Sequence, residues 1–287
     1  MLSRVIPCYK DFWRANAGLV GRSCACLPQK KSAAILLRER EVPVSAAAVA
    51  TPDQPLYAIV SGPAPATIDE VLQRMQQIDK LLADNDGLKW FNRLYMMVTK
   101  EVDLSPPAGG WKDAAWLLRL DVVFAGFYFR AISGFLEGAG QTASSWSVLM
   151  KARYEAGIDR IQFAVAGMNA HINHDLALAL LETDQEMNLV PGMDSPQRVD
   201  YEAVNGLLNT VMPAALDMLA VGILGLAAED TGKIGRVLAF WNICKARDLA
   251  WDFGDYLRGL NGVALAVGRG AQDQMTGVVG AAILRGV

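Results

Sequence analysis

Histidine is scarce: the 287-residue chain holds two, His171 and His174, three positions apart. Chemistry that needs imidazole is therefore confined to one place. Cysteine is nearly missing from the body, where Cys244 stands alone, while Cys8, Cys24 and Cys26 crowd the N-terminus. A single Cys-x-Cys without a second pair or a nearby histidine is a poor zinc signal, and nothing points to a disulfide framework, so a reducing compartment is expected. There is no glycine-rich phosphate loop, Gly-x-Ser-x-Gly elbow or dinucleotide fingerprint, which argues against kinases, serine hydrolases and dehydrogenases. Glu-x-x-His and His-Glu-x-x-His are also absent, removing the signatures of carboxylate-bridged di-iron bundles and of zincins. No basic stripe with interleaved aromatics occurs, so nucleic acid is not an expected partner. No run of period-two alternation suggests a sheet.

What remains is apolar and helical. Hydrophobic residues make up 52% of the chain and charged residues 20%, with a mean hydropathy of +0.20. This composition describes a soluble globular chain with one large core. The formal charge of −3 is unevenly spread: residues 1–66 carry eight Lys/Arg against four acids, leaving 19 basic and 26 acidic residues in the rest. That first stretch is rich in Ala, Ser and Pro and ends in a loop-like Ser61-Gly62-Pro63-Ala64-Pro65-Ala66. It predicts a disordered leader or, from its basic character, an organellar presequence. The expected location is cytoplasmic, with an organelle as the alternative.

From residue 67 the pattern predicts helix after helix. Thr67-Ile68-Asp69-Glu70 has the form of a capping box, and Val71, Met75, Ile78, Leu81 and Leu82 follow at helical spacing. Further helices are expected from Trp90, over 112–136, and over 144–183 with a kink near Gly157 or Gly167. The last three are expected at 198–229, 233–259 and 263–284. The apolar stretch 211–229 contains Pro213 and Asp217 and lacks a basic flank, which favours a buried bundle helix over a transmembrane span. The expected fold is an all-α, single-domain multi-helix bundle of about seven or eight helices over residues 67–287, with residues 1–66 a disordered N-terminal extension.

The most informative segment is Gly167-Met168-Asn169-Ala170-His171-Ile172-Asn173-His174-Asp175-Leu176. At about 100° per residue, His171, His174 and Asp175 share one face, while Asn169 and Asn173 point to the other side. His171 and Asp175 stand at i and i+4, within reach of a shared hydrogen bond or a shared ion. So many polar groups need partners if the helix is buried. Asp121 lies among Leu117, Leu118, Phe124, Ala125 and Tyr128, which predicts an inward-facing carboxylate with a raised pKa if unpaired. Asp248, Asp252 and Asp255 follow one face beside Trp251, predicting an exposed acidic face over Leu249, Phe253 and Leu257. Asp86, Asn92 and Arg93 are read as caps and surface groups.

The blocks Asp86-Gly87-Leu88-Lys89-Trp90-Phe91-Asn92-Arg93-Leu94-Tyr95, Leu120-Asp121-Val122-Val123-Phe124-Ala125 with Tyr128, and the Gly-Met-Asn-Ala-His-Ile-Asn segment resemble successive blocks of a bacterial and fungal family known only as a domain of unknown function. The segment around Arg247 and Trp251 is similar to that family's last block. The resemblance spans about residues 67–260 and implies an all-helical domain with a polar centre at Asn169, His171, Asn173 and Asp175. It implies no activity and no cofactor.

The functional expectation is an enzyme in which His171, Asp175 and Asp121 carry acid/base or metal-assisted chemistry on a small, largely apolar metabolite, by hydrolysis, elimination or cyclisation. In the metal-assisted form, His171, His174 and Asp175 hold a divalent ion, zinc or iron. The pocket is expected to draw on Asn169, Asn173, Tyr128, Arg247, Trp251 and Asp252. The alternative is a non-catalytic scaffold or ligand-binding protein whose His/Asn/Asp cluster is a buried structural network. A small molecule is the expected partner, and a homodimer is one expected form of assembly. The discriminating feature is whether His171, Asp175 and Asp121 line a cavity or are sealed by packed side chains.

Overall fold

The computed structural model describes residues 53–138, 142–220 and 242–286, and all regular structure among them is helical. The first helix, α1 (Gln54–Val60), falls inside the stretch expected to be an extension. Leu56 and Val60 nevertheless belong to the core. Tyr57 donates to Glu137 at 2.8 Å, and Asp53 pairs with the buried Arg153 at 2.8 Å. The helical body thus begins by residue 53, and residues 1–52 lie outside the described residues. A chain starting at residue 53 is expected to be more stable than one starting at residue 62 by about 2 kcal/mol. Removing α1 uncovers the core positions packed by Leu56 and Val60, about 1.5–3 kcal/mol each, and takes from the buried Arg153 its Asp53 partner, losses that the regained chain entropy offsets in part. Denaturant unfolding of the two truncations measures the difference.

Helix α2 (Ile68–Leu81) starts at Thr67 as expected, with the return bond of Glu70 going to the residue before the cap rather than to Thr67 itself. The Glu70 amide donates to Thr67 Oγ1 at 3.2 Å, and the Glu70 carboxylate accepts from the Ala66 amide at 2.6 Å. Its stripe of Val71, Met75 and Ile78 is buried, whereas Leu81 is exposed. Asp86 caps α3 (Gly87–Leu104) and Asp113 caps α4 (Ala114–Leu136). On α4 the inward stripe runs through Leu117, Leu120, Phe124 and Tyr128, with Leu118 on the outer face.

The helix expected over 144–183 is divided. Helix α5 (Ser144–Ala152) ends before a loop in which Gly157 has φ +83°, and α6 (Arg160–Ala170) starts after it. One of the two expected kink positions is thus a full break. The other, Gly167, is no kink: it is where Phe91 of α3 packs directly on the α6 backbone. The irregularity falls just beyond it, as a π-helical turn at His171–Asp175 leading into α7 (Leu176–Glu186). Helices α8 (Pro196–Ala220), α9 (Ile243–Arg258) and α10 (Gly262–Arg285) complete the described chain. The expected helices over 198–229 and 233–259 run partly into residues outside the described ones. Among the described residues no helix is long and apolar enough to cross a membrane.

Helix α6 packs against α3 and α10, and α7 packs against α4 and α9. The π turn sits between these two sets of neighbours and itself touches α4, α9 and α10. Large fully buried side chains, among them Trp146, Tyr128 and Phe91, fill the space around it.

Candidate functional site

The π turn places its polar groups on two faces. The Leu176 amide reaches back to the His171 carbonyl, five residues away, which widens the helix at this point. On one face Asp175, buried to 1% exposure, accepts three hydrogen bonds. They come from His171 Nδ1 at 2.9 Å, His174 Nδ1 at 2.7 Å and Trp146 Nε1 at 2.8 Å. A carboxylate offers acceptors only, so both imidazoles carry a proton on Nδ1. On the other face Asn173 Nδ2 donates to Asn169 Oδ1 at 2.9 Å, and Asn169 Nδ2 donates to the Thr276 carbonyl of α10 at 2.9 Å. The Asn173 carbonyl accepts from Gln272 Nε2, also of α10. Asn169 and Asn173 therefore tie helices together.

His171 is sealed. Phe124 stacks on its ring at 3.5 Å with an angle of 6° between planes, and Tyr95 stands edge-on at 4.4 Å. Phe91, Trp146 and Tyr128 close the cage at 5.7, 6.0 and 6.3 Å. Tyr128 belongs to this cage, and its hydroxyl donates to Asn92 Oδ1 at 3.2 Å. Nε2 of His171 is buried without a hydrogen-bond partner. Burial lowers the His171 pKa by more than the hydrogen bond and charge of Asp175 restore, so the ring is neutral. His174 goes the other way: burial lowers its pKa, but the Asp175 hydrogen bond and charge, with Asp273 adding, raise it overall. For Asp175, burial raises the pKa, but the hydrogen bonds from the two imidazoles outweigh it and the group stays ionised.

Both Nδ1 atoms and both oxygens of Asp175 are thus committed to one another, and His174 Nε2 turns towards Asp273 at 3.9 Å. The expected metal set of His171, His174 and Asp175 does not converge on a common point. Among the described residues no group of three or more His, Cys, Asp or Glu side chains is placed to hold a metal ion. A resident zinc or iron does not fit this arrangement.

Asp121 stands apart from the imidazoles, with Phe124 between them. Phe124 stacks on His171 and also lines a small cavity of about 40 Å³. Tyr95 and Thr99 of α3, Asp121 of α4 and Arg247 of α9 give this cavity its polar groups, and Val98, Val102, Leu117 and Val204 are among its apolar walls. Its volume is enough for about three water molecules. Asp121 Oδ2 is buried with no hydrogen-bond partner. Burial pushes its carboxyl up to about 7, with Arg247 opposing the rise and Asp103 adding to it.

Arg247 is fixed by neighbours on α8. Its Nε donates to Asn205 Oδ1 at 2.9 Å and its Nη2 to the Tyr201 carbonyl at 2.6 Å, with the Tyr201 ring 4.1 Å below the guanidinium. Of the expected pocket residues, Arg247 alone lines this cavity. Trp251 is fully buried against Trp116 and Tyr201, and Asp252 is on the surface. Asn92, read as a surface group, is fully buried and donates to the Met75 carbonyl at 2.9 Å. Asp86 is a cap, as expected, and also pairs with the buried Arg153 at 2.9 Å.

Three features at the centre carry no local signature: Trp146, Gln272 and the meeting of Asp121 and Arg247 on one cavity all depend on segments distant in sequence. The one available clue was Trp146 itself, a large donor-bearing ring that needs an acceptor wherever it is buried.

No curated protein and no solved structure matches the chain. A family profile matches residues 68–286, covering every helix described above except α1. The chain therefore belongs to DUF5995, a family of unknown function.

Proposed function

We propose that the protein is a helical ligand-binding protein whose site is the cavity between α3, α4, α8 and α9. The His171–Asp175 network, on this reading, is a structural centre that holds the wall of that cavity in place. The observation that carries the proposal is Asp121 Oδ2, a sealed carboxylate oxygen without a partner, on a cavity that also holds Arg247. An unmet polar atom in the interior costs about 1–3 kcal/mol, and such a cost is accepted most readily where a ligand supplies the missing bond. The apolar walls suit a small molecule with one polar end.

A second reading, an enzyme using acid/base chemistry, is favoured by the Asp121 carboxyl lying at about 7, where it can give or take a proton near neutral pH. Hydrolysis, elimination and cyclisation all fall within that chemistry. Asp121 is then the proton-transfer group, and His171 is not, because Phe124 covers it.

Ligand-observed NMR with small polar-headed compounds separates these cases. Compounds that bind the native chain should no longer bind Val204→Leu, whose added bulk enters the cavity. Binding unaffected by that change would overturn the assignment of the site. Consumption of a bound compound by the native chain, with binding but no consumption in Asp121→Asn, would establish the enzyme reading in its place.

A further inference from the structure

We infer that the cavity takes the carboxylate head of a short-chain monocarboxylic acid, held between the side chains of Arg247 and Asp121 that line it and bound together with one proton. This rests on the reading of the cavity as a ligand site. Arg247 supplies a fixed cation on the cavity wall, and its charge selects an acceptor, preferably an anion. Asp121 supplies the opposite requirement, since an ionised carboxylate can only accept. A carboxylate ligand satisfies both if a single proton is shared between its oxygen and Asp121, because two carboxylates in contact cannot both stay ionised.

Other small head groups match less well. An amine would suit Asp121 but meets the like charge of Arg247. An alcohol would leave the cation unneutralised. Phosphate brings a second negative charge against Asp121 and has no apolar tail to meet the cavity walls. At about 40 Å³ the cavity encloses only a few non-hydrogen atoms, the size of a carboxylate head with its first carbons. Val98, Val102 and Leu117 then face the short apolar tail.

The proton gives the proposal a pH signature. The groups facing Asp121 are Arg247 from α9, with Tyr95 and the charge of Asp103 from α3; α7 and α8 present the uncharged Leu176 and Val204. Below about 7 the free protein already holds the proton on Asp121. Above that value the proton must be taken up on binding, so affinity falls about tenfold per pH unit.

The test is calorimetric titration of the full chain with acetate, propionate and butyrate, and with ethylamine, 1-propanol and inorganic phosphate, between pH 6 and pH 8.5. Propionate or butyrate is expected to bind, with Kd flat below about pH 7 and rising about tenfold per unit above it. Proton uptake is read from the difference between two buffers of unlike ionisation enthalpy. Asp121→Asn should lose the pH dependence, because its amide donates to the ligand at every pH. Arg247→Gln, checked for folding by circular dichroism, should weaken binding at least tenfold. Amine or alcohol binding as tight as propionate, or carboxylate binding that ignores pH in the native chain, overturns this inference while leaving the cavity as a ligand site. Failure of every probe at 50 mM, a concentration on the order of the weakest specific small-ligand affinities, overturns both.

Discussion

Asp175→Ala is expected to cost the fold about 4 kcal/mol. The carboxylate accepts from His171, His174 and Trp146 at 2.9, 2.7 and 2.8 Å, and all four groups lie in the interior or at its edge. Truncation to a methyl group removes the acceptor and strands three donors where water does not reach. Breaking a buried charged network from one side costs about 3–5 kcal/mol. Asp175→Asn keeps one carbonyl acceptor and should cost roughly half as much. The pH dependence follows from the lowered Asp175 pKa. A depressed carboxyl adds stability above its unfolded pKa and loses it as the pH falls through its folded value, so the native chain should lose this stability in acid and Asp175→Ala should not. Urea unfolding at pH 7 and in mild acid provides both readings. If Asp175→Ala changes stability by less than about 1 kcal/mol, the network is not a structural centre and the catalytic reading of His171 gains.

Gly167→Leu should be at least as damaging, for a purely steric reason. A Cβ at residue 167 would stand 2.4 Å from Phe91 Cγ and 2.6 Å from Phe91 Cβ. Those atoms lie near the root of the side chain, so no rotation of the ring relieves the clash. Phe91 is itself held by Tyr128, Trp146 and His171, at ring separations of 5.0, 5.2 and 5.7 Å. Overpacking a closed core costs about 1–3 kcal/mol per small insertion, and a whole leucine side chain exceeds that range. The expected result is a loss of more than about 4 kcal/mol. The control is Gly206→Ala on α8, where an added Cβ meets nothing within 4 Å. There the lost backbone freedom of the unfolded chain should raise stability by about 0.5–1 kcal/mol. A Gly167→Leu protein as stable as the native chain would show that α3 and α6 do not approach as described.

The helices were legible because their signals are local. Thr67 and Glu70 stand close enough to cap α2 without help from the rest of the chain, and the stripe after them repeats every turn. Asp121 was readable as inward-facing for the same reason, since Leu117, Leu120 and Phe124 define a face within one helix. Helix α1 was missed because seven residues with two buried apolar side chains scarcely stand out from an Ala/Pro/Ser-rich surrounding. Asn92 was misjudged because polarity outweighed its place amid Phe91 and Tyr95. The cluster around His171 was half legible. Its i,i+4 bond to Asp175 follows from helical spacing, but its aromatic lid comes from α3, α4 and α5, and only packing brings those together. The expected pocket residues divide for a related reason, with Arg247 on the described cavity and Asn169, Asn173 and Tyr128 around the network. Nearness in sequence to the histidines marks members of the network, while the cavity lies on the far side of Phe124.

The five-residue π turn has a consequence for length. A wider turn takes one more residue to come round than an α turn does, so the rod from Arg160 to Glu186 changes phase midway. Before the turn its buried face meets α3 and α10, and after it the buried face meets α4 and α9. Dropping a single residue between 171 and 175 would give a more regular helix and a worse protein. The second half of the rod would swing by about 100° and offer α4 and α9 the wrong side chains. Chain length in this stretch therefore acts as an angular setting, indexing one half of the bundle against the other.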